Sequence, residues 1–268
     1  MNIKSPAFIG SLGLIALILG LTGWYMSTHP APVPYSPQVT PPTLGTDVPK
    51  KISEKGTYYT IDVTYPTQIS FPLSSRSDAG ATADRTIKAW VDQNIAQFKS
   101  YVGENEAAIQ DFISQGEEVP ASLSSMQLTV VYERKETPRT VTYLLNAASY
   151  IGGAHGMETP TTFTFDATTG TRLALADLFL PQADYLTRLS TLARSKLPGL
   201  TGDFTNDDFI QDGTRPIQEN FQVFYLEGDD LVFLFPPYQV APYAAGTIIF
   251  RLDRTELNDI LKPEFRVQ

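Results

Sequence analysis

The chain has 268 residues, enough for one or two domains, and its lack of cysteine excludes a disulfide framework, a cysteine nucleophile, a thiolate metal site and a lipid-modified cysteine. Hydrophobic residues make up 42% and charged residues 18%, a balance too apolar for a disordered chain. The formal net charge of -9 argues against nucleic-acid binding, because phosphate backbones would be repelled; its plain role is to keep the domain soluble, and it would also steer a cationic partner.

Phe8 to Met26 carries no charge and is rich in Leu, Ile, Ala and Gly. As a helix it spans roughly 28 Å, close to the ~30 Å hydrocarbon core of a bilayer. Lys4 precedes it and no Lys or Arg follows until Lys50, so the positive-inside bias puts residues 1–7 in the cytoplasm and the rest outside. A cleaved signal peptide is the competing reading, but the run is long and its end, Trp24-Tyr25-Met26, is bulky for a cleavage site. The expectation is a retained, single-pass signal anchor, with the membrane as its first partner. Residues 27–49 then read as a linker with seven prolines between Pro30 and Pro49, extended enough to hold a domain up to about 70 Å from the bilayer.

The globular part, 50–268, is expected to be one extracytoplasmic domain, divisible near 50–155 and 156–268. Tyr58 to Tyr65 is β-branched and aromatic and predicts a strand, with Gln68 to Phe71 continuing its pairing. Ser77 or Asp78 caps the clearest helix, whose stripe of Ile87, Trp90, Val91, Ile95, Phe98, Tyr101 and Val102 recurs at three- and four-residue steps; Gly116 and Pro120 end it. Met126 to Glu133 and Thr140 to Ser149 predict an antiparallel hairpin. The run Gly152-Gly153-Ala154-His155-Gly156 breaks it, Thr161 to Asp166 resumes it, and Thr168-Thr169-Gly170 turns again. Ala176 to Leu180 reads as a helical turn and Asp184 to Leu197 as a helix. Ile217 to Glu227 and Leu231 to Pro236 predict strands apolar on both faces, hence covered on both sides. Tyr243 to Leu252 adds a strand and Thr255 to Leu261 a closing helix. Strands and helices do not alternate regularly, so the fold class is α+β: a mainly antiparallel sheet packed against one long helix and shorter helices, preceded by a transmembrane helix.

Chemistry has few places to reside. Of the two histidines, His29 lies in the linker and His155 in the glycine turn, where Gly152, Gly153 and Gly156 leave the backbone open to a ligand. His155 has no recognisable helpers: there is no zinc-protease motif, no nucleophile elbow and no dinucleotide fingerprint. Its plainer role is to hold the turn by hydrogen-bonding the backbone. Asp203, Asn206, Asp207, Asp208 and Asp212 cluster, but without the spacing of a calcium loop, and read as a solvated loop with helix caps. Among Phe221, Tyr225, Phe233, Tyr238 and Tyr243, exposed members offer rings for stacking on a sugar, and the rest belong to a core. No cofactor, metal site or catalytic residue is expected.

The run Ser149 to Gly156, followed by Phe163-Thr164-Phe165-Asp166, Thr169-Gly170 and Leu175 to Phe179, resembles the extracytoplasmic domain family of RsiV and PdaC. So does Leu231 to Gly246, with Tyr238 and Tyr243. The resemblance covers roughly Thr57 to Lys262 and implies an α+β domain on the outer side of a bacterial membrane. In some relatives that domain is the sensing half of an anti-sigma factor and binds lysozyme; in others it precedes a peptidoglycan deacetylase domain. With about seven residues before the apolar segment and nothing after Gln268, the expectation here is the binding module alone, for a lysozyme-like protein or a wall glycan. Gly152, Gly153, His155, Gly156, Tyr238 and Tyr243 are its candidate ligand-binding residues. The alternative is a wall hydrolase or deacetylase-like enzyme that uses His155.

Overall fold

The structure is a computed structural model that describes residues 47–71, 74 and 76–267. The expected signal anchor and the linker up to residue 46 lie outside these residues. Among the described residues no helix is long and apolar enough to cross a membrane.

A five-stranded sheet forms the first layer. Its strands are β1 (Val48–Lys55), β2 (Tyr59–Thr67), β3 (Met126–Glu136), β4 (Thr140–Tyr150) and β5 (Met157–Asp166), side by side in that order. β1 opens inside the segment read as linker; its charged, largely exposed face hides it from a pattern search. Every neighbouring pair is antiparallel except β2–β3, which is parallel because the long helix α1 (Ala79–Ser114) connects them.

The expected stripe is what buries α1. Ala83, Ile87, Val91, Phe98, Val102 and Ile109 face the sheet, packed on Ile61, Val63, Leu128, Val130, Tyr143, Leu145 and Phe165. The exposed face carries a Lys88–Asp92 ion pair one turn apart. Asp78 is the N-cap residue, but its carboxylate binds Arg76 instead of capping a backbone N–H. Gln68 to Phe71 does not extend β2: the Gln68 and Ile69 N–H groups donate to the Asp84 carboxylate on α1, each at 3.0 Å, and this turns the chain off the sheet.

The second layer is a three-stranded antiparallel sheet, β6 (Phe224–Glu227), β7 (Asp230–Phe235) and β8 (Ile248–Asp253). One face packs with helix α2 (Tyr185–Thr201): Leu226, Leu231, Phe233, Phe235 and Phe250 meet Leu189, Ala193 and Leu197. On the other face Tyr225, Val232 and Leu234 pack on Leu144 of β4. The double coverage expected for these strands is therefore observed. It also explains why β4 is buried on both sides. Threonines on the shared face are satisfied rather than stranded. Thr162 Oγ1 accepts from Phe224 N–H at 3.0 Å, and Thr164 Oγ1 donates to the Phe224 carbonyl at 3.3 Å.

Three expected elements are shorter than the sequence suggested. Ile217 to Glu227 is a 3-10 turn (Gln218–Phe221) followed by the four residues of β6. Tyr243 to Leu252 begins with a 3-10 turn (Tyr243–Ala245) and becomes strand only at Ile248. The closing helix is a 3-10 turn at Arg254–Leu257.

Candidate functional site: an aromatic ridge joining two turns

β4 and β5 are joined by the glycine turn. Gly152 and Gly153 hold φ of 100° and 97°, a region that side chains disfavour, so two glycines here let the chain reverse within a few residues. The Tyr150 hydroxyl closes the turn by donating to the Gly153 carbonyl at 3.0 Å. The turn lifts His155 to the surface. His155 Nδ1 lies 2.9 Å from the Gly156 carbonyl oxygen, and since a carbonyl only accepts, Nδ1 is the donor of this hydrogen bond.

The second segment, 236–246, leaves β7 and returns to β8. Val240 and Ala241 are buried and pin it. Gln239 is the anchor: its Nε2 donates to the Gly213 and Asn220 carbonyls, both at 2.9 Å. Gly213 ends the short helix α3 (Asp207–Gly213), and a Cβ there would stand 1.9 Å from the Gln239 carbonyl oxygen, so only glycine permits the approach. With Gln239 held, Tyr238 takes φ of 71°. A left-handed tyrosine costs on the order of 1–2 kcal/mol. The residue is 48% exposed, so burial does not offset that cost.

The two segments meet. The His155 and Tyr243 rings stack with centroids 3.8 Å apart and planes at 22°. The Tyr243 hydroxyl donates to the same Gly156 carbonyl at 2.9 Å, so both lone pairs of that oxygen are used. Tyr238 lies alongside, its ring 5.7 Å from Tyr243 and its hydroxyl 3.4 Å from His155 Nε2, a long and weak hydrogen bond.

His155, Gly156, Tyr238 and Tyr243 therefore form one surface ridge. Gly153 supports it through Tyr150, and Gly152 shapes the turn without joining the contact. Phe221, Tyr225 and Phe233 are core residues. The roles of Tyr150, Gln239 and Gly213 went unread in the sequence. Only the glycine ending α3, opposite a buried Val-Ala pair, hinted at a close approach. In the acidic cluster Asn206 caps α3, accepting from Asp208 and Phe209 N–H groups. Among the described residues no group of three His, Cys, Asp or Glu side chains is placed to hold a metal ion. His155 also has no carboxylate among its contacts there.

Comparison with known proteins bears on both segments. Residues 176–255 match the family model described as "Protein of unknown function (DUF3298)". That stretch holds α2, α3, the small sheet, Tyr238 and Tyr243; the His155 turn precedes it. Over 182 residues the chain is 29% identical to the Bacillus subtilis (strain 168) peptidoglycan-N-acetylmuramic acid deacetylase PdaC, covering 68% of this chain and 37% of PdaC. The resemblance to the PdaC-type domain is thus borne out. Two solved DUF3298 structures share the fold. One from Bacteroides fragilis has a TM-score of 0.57 at 17% identity, covering 81% of this chain and 94% of its own. One from Pseudomonas aeruginosa PAO1 has a TM-score of 0.55 at 15% identity, covering 84% and 97%.

Proposed function

We propose that this chain is a binding or sensing module of a bacterial cell envelope, anchored by its N-terminal apolar segment, displayed outside the cytoplasm, and engaging a lysozyme-like protein or a wall glycan through the His155–Tyr238–Tyr243 ridge. One observation carries the reading. Two turns more than eighty residues apart converge on a stacked, solvent-facing aromatic platform, one member of which is held in a strained backbone conformation. Two backbone hydrogen bonds at 3.1 Å hold that conformation, Gln239 N–H to the Pro236 carbonyl and Tyr238 N–H to the Ala241 carbonyl, and they fix the direction in which the exposed ring points. Flat rings with polar tips suit contact with a sugar face or a protein surface. Among the described residues the histidine contacts a carbonyl and two phenol rings, and no acidic partner of the kind a general base would use. Similarity to a peptidoglycan deacetylase supports the envelope setting.

The test uses the full chain, insoluble peptidoglycan and hen lysozyme, at low salt, where steering by the acidic domain is strongest. Retention of the wild type on one of the two is expected. Tyr238→Gly relieves the positive φ and should melt within about 1 kcal/mol of wild type while losing retention. Retention undiminished in Tyr238→Gly and His155→Ala would remove the ridge from the reading. Peptidoglycan turnover by the wild type, lost in His155→Ala, would replace binding with catalysis.

A further inference from the structure

A second feature shares the Pro236 and Gln239 stretch with the ridge but none of the ridge's three rings. Two adjoining hollows, of 500 and 360 Å³, run along the β5 side of the large sheet beneath the Gln218–Phe221 turn and share Thr162, Arg172, Glu219 and Gln222 in their walls. Trp90 of α1 lines one and Gln218 the other. Together they have the volume that a one- or two-ring ligand fills.

Arg172 is unusual within this molecule. Every other arginine among the described residues gives its guanidinium to a carboxylate, a hydroxyl or a backbone carbonyl. Arg172 gives its own to none; it sits over the Phe163 ring, 4.8 Å from the centroid. Phe163 is itself fixed by edge-on contact with Trp90. The ring thus holds the guanidinium by a cation–π contact, which uses none of its N–H donors. The side chain is exposed at the mouth of the hollows, and desolvation by the protein around it pushes its pKa down. Around it the Gln218, Gln222 and Glu219 side chains make no hydrogen bond or ion pair among the described residues.

We propose that this cleft binds a sugar carboxylate, with Arg172 taking the acid and the unengaged amides of Gln218 and Gln222 taking ring hydroxyls or an acetamido group. A planar fork matches a carboxylate with two parallel N–H···O bonds, and such charge-assisted pairs are about twice as strong as neutral ones. Amide-rich walls beside an indole suit a polyhydroxylated ring better than an apolar ligand. Two carboxylates share the walls with Arg172: Asp177, which accepts from the Ala174 N–H, and Glu219; they accept from ligand hydroxyls and repel a second acid, which favours a ligand with one carboxylate seated on the arginine. The envelope reading guides the choice of probes, but the arginine geometry stands without the ridge.

The experiment measures binding of four probes to the full chain by saturation-transfer NMR and titration: N-acetylmuramate, glucuronate, N-acetylglucosamine and glucose. Binding of at least one acidic probe, about tenfold or more tighter than its neutral counterpart, is expected. Preference for N-acetylmuramate points to a lactyl acid and preference for glucuronate to a uronic acid; either supports the site. Arg172→Gln should remove the preference, Arg172→Lys should retain part of it, and Glu219→Gln should tighten the acidic probe. His155→Ala should leave all four unchanged, which separates this site from the ridge. Equal binding of acids and neutral sugars, no binding of either acid, or an Arg172→Gln variant that keeps the preference overturns the proposal.

Discussion

The half of the molecule built on α1 takes its core from residues repeated along long, regular elements, whereas the half built on β6–β8 takes its core from strands of four to six residues stitched together by 3-10 turns. In the first half a regular period brings many apolar side chains to one face. In the second, aromatic rings do the filling: Phe221 and Phe250 each contact both Phe233 and Phe235, which also contact each other, with centroids 5.4–6.5 Å apart. Long elements tolerate one poor contact because their neighbours compensate. Short ones depend on turns, and turns put side chains on the surface. The ridge accordingly stands where the end of β4 meets a loop of the small sheet.

The sharpest way to test this contrast is to damage the α1 half at a buried ion pair. Asp47 and Arg134 have side chains 0% and 3% exposed and meet at 3.0 Å, with the Tyr132 hydroxyl donating to Asp47 at 2.7 Å and Arg134 also donating to the Tyr143 hydroxyl. Asp47→Ala removes one of two carboxylates on the buried guanidinium, leaves Glu136 as its remaining acidic partner and frees the Tyr132 hydroxyl, and should cost about 1–3 kcal/mol in urea unfolding. A loss under 1 kcal/mol would mean that water reaches the pair. Comparable in size is Leu234→Ala, at the seam between the sheets, expected to cost about 2–3 kcal/mol. If the halves are coupled through that seam, the wild type unfolds in one step by fluorescence and circular dichroism, and the variant separates the two signals. Coincident transitions in the variant would show coupling by another route.

The smallest expected effect is on acid sensitivity. Glu227 at the end of β6 binds Arg251 at 2.6 Å and Lys135 of β3 at 3.1 Å, so it ties the two sheets together. Burial pushes its carboxyl up, but the hydrogen bonds from Arg251 and Lys135 outweigh burial and hold it below the usual carboxylate value. A lowered folded-state pKa contributes stability above the unfolded value, and that contribution is lost as pH falls through the folded one. Glu227→Gln should therefore lose under about 1 kcal/mol at neutral pH and converge with wild type below pH 4. A gap that widens with acid contradicts the assignment.

How much was legible in the sequence follows the same division. α1 was readable because seven apolar residues kept a single period, and the β3–β4 hairpin because a polar loop separates two runs of β-branched residues. Gln218–Phe221 and Tyr243–Ala245 were read as strand because aromatic, apolar runs favour strands until a tertiary contact bends them. Both halves of the ridge stood out as motifs, but their meeting is a long-range contact that no local pattern encodes. Arg172 was invisible for a different reason. What marks it is the carboxylate it does not meet, and an unmet partner leaves no trace in a linear pattern.

The Asp47–Arg134 pair has a mechanical consequence. Asp47 stands one residue ahead of β1, and its carboxylate is fastened to β3 in the middle of the sheet rather than to the edge strand that follows it. Tension arriving along the chain from the N-terminal side thus reaches the sheet's centre first, and the β1–β2 ladder is spared from being peeled open one rung at a time.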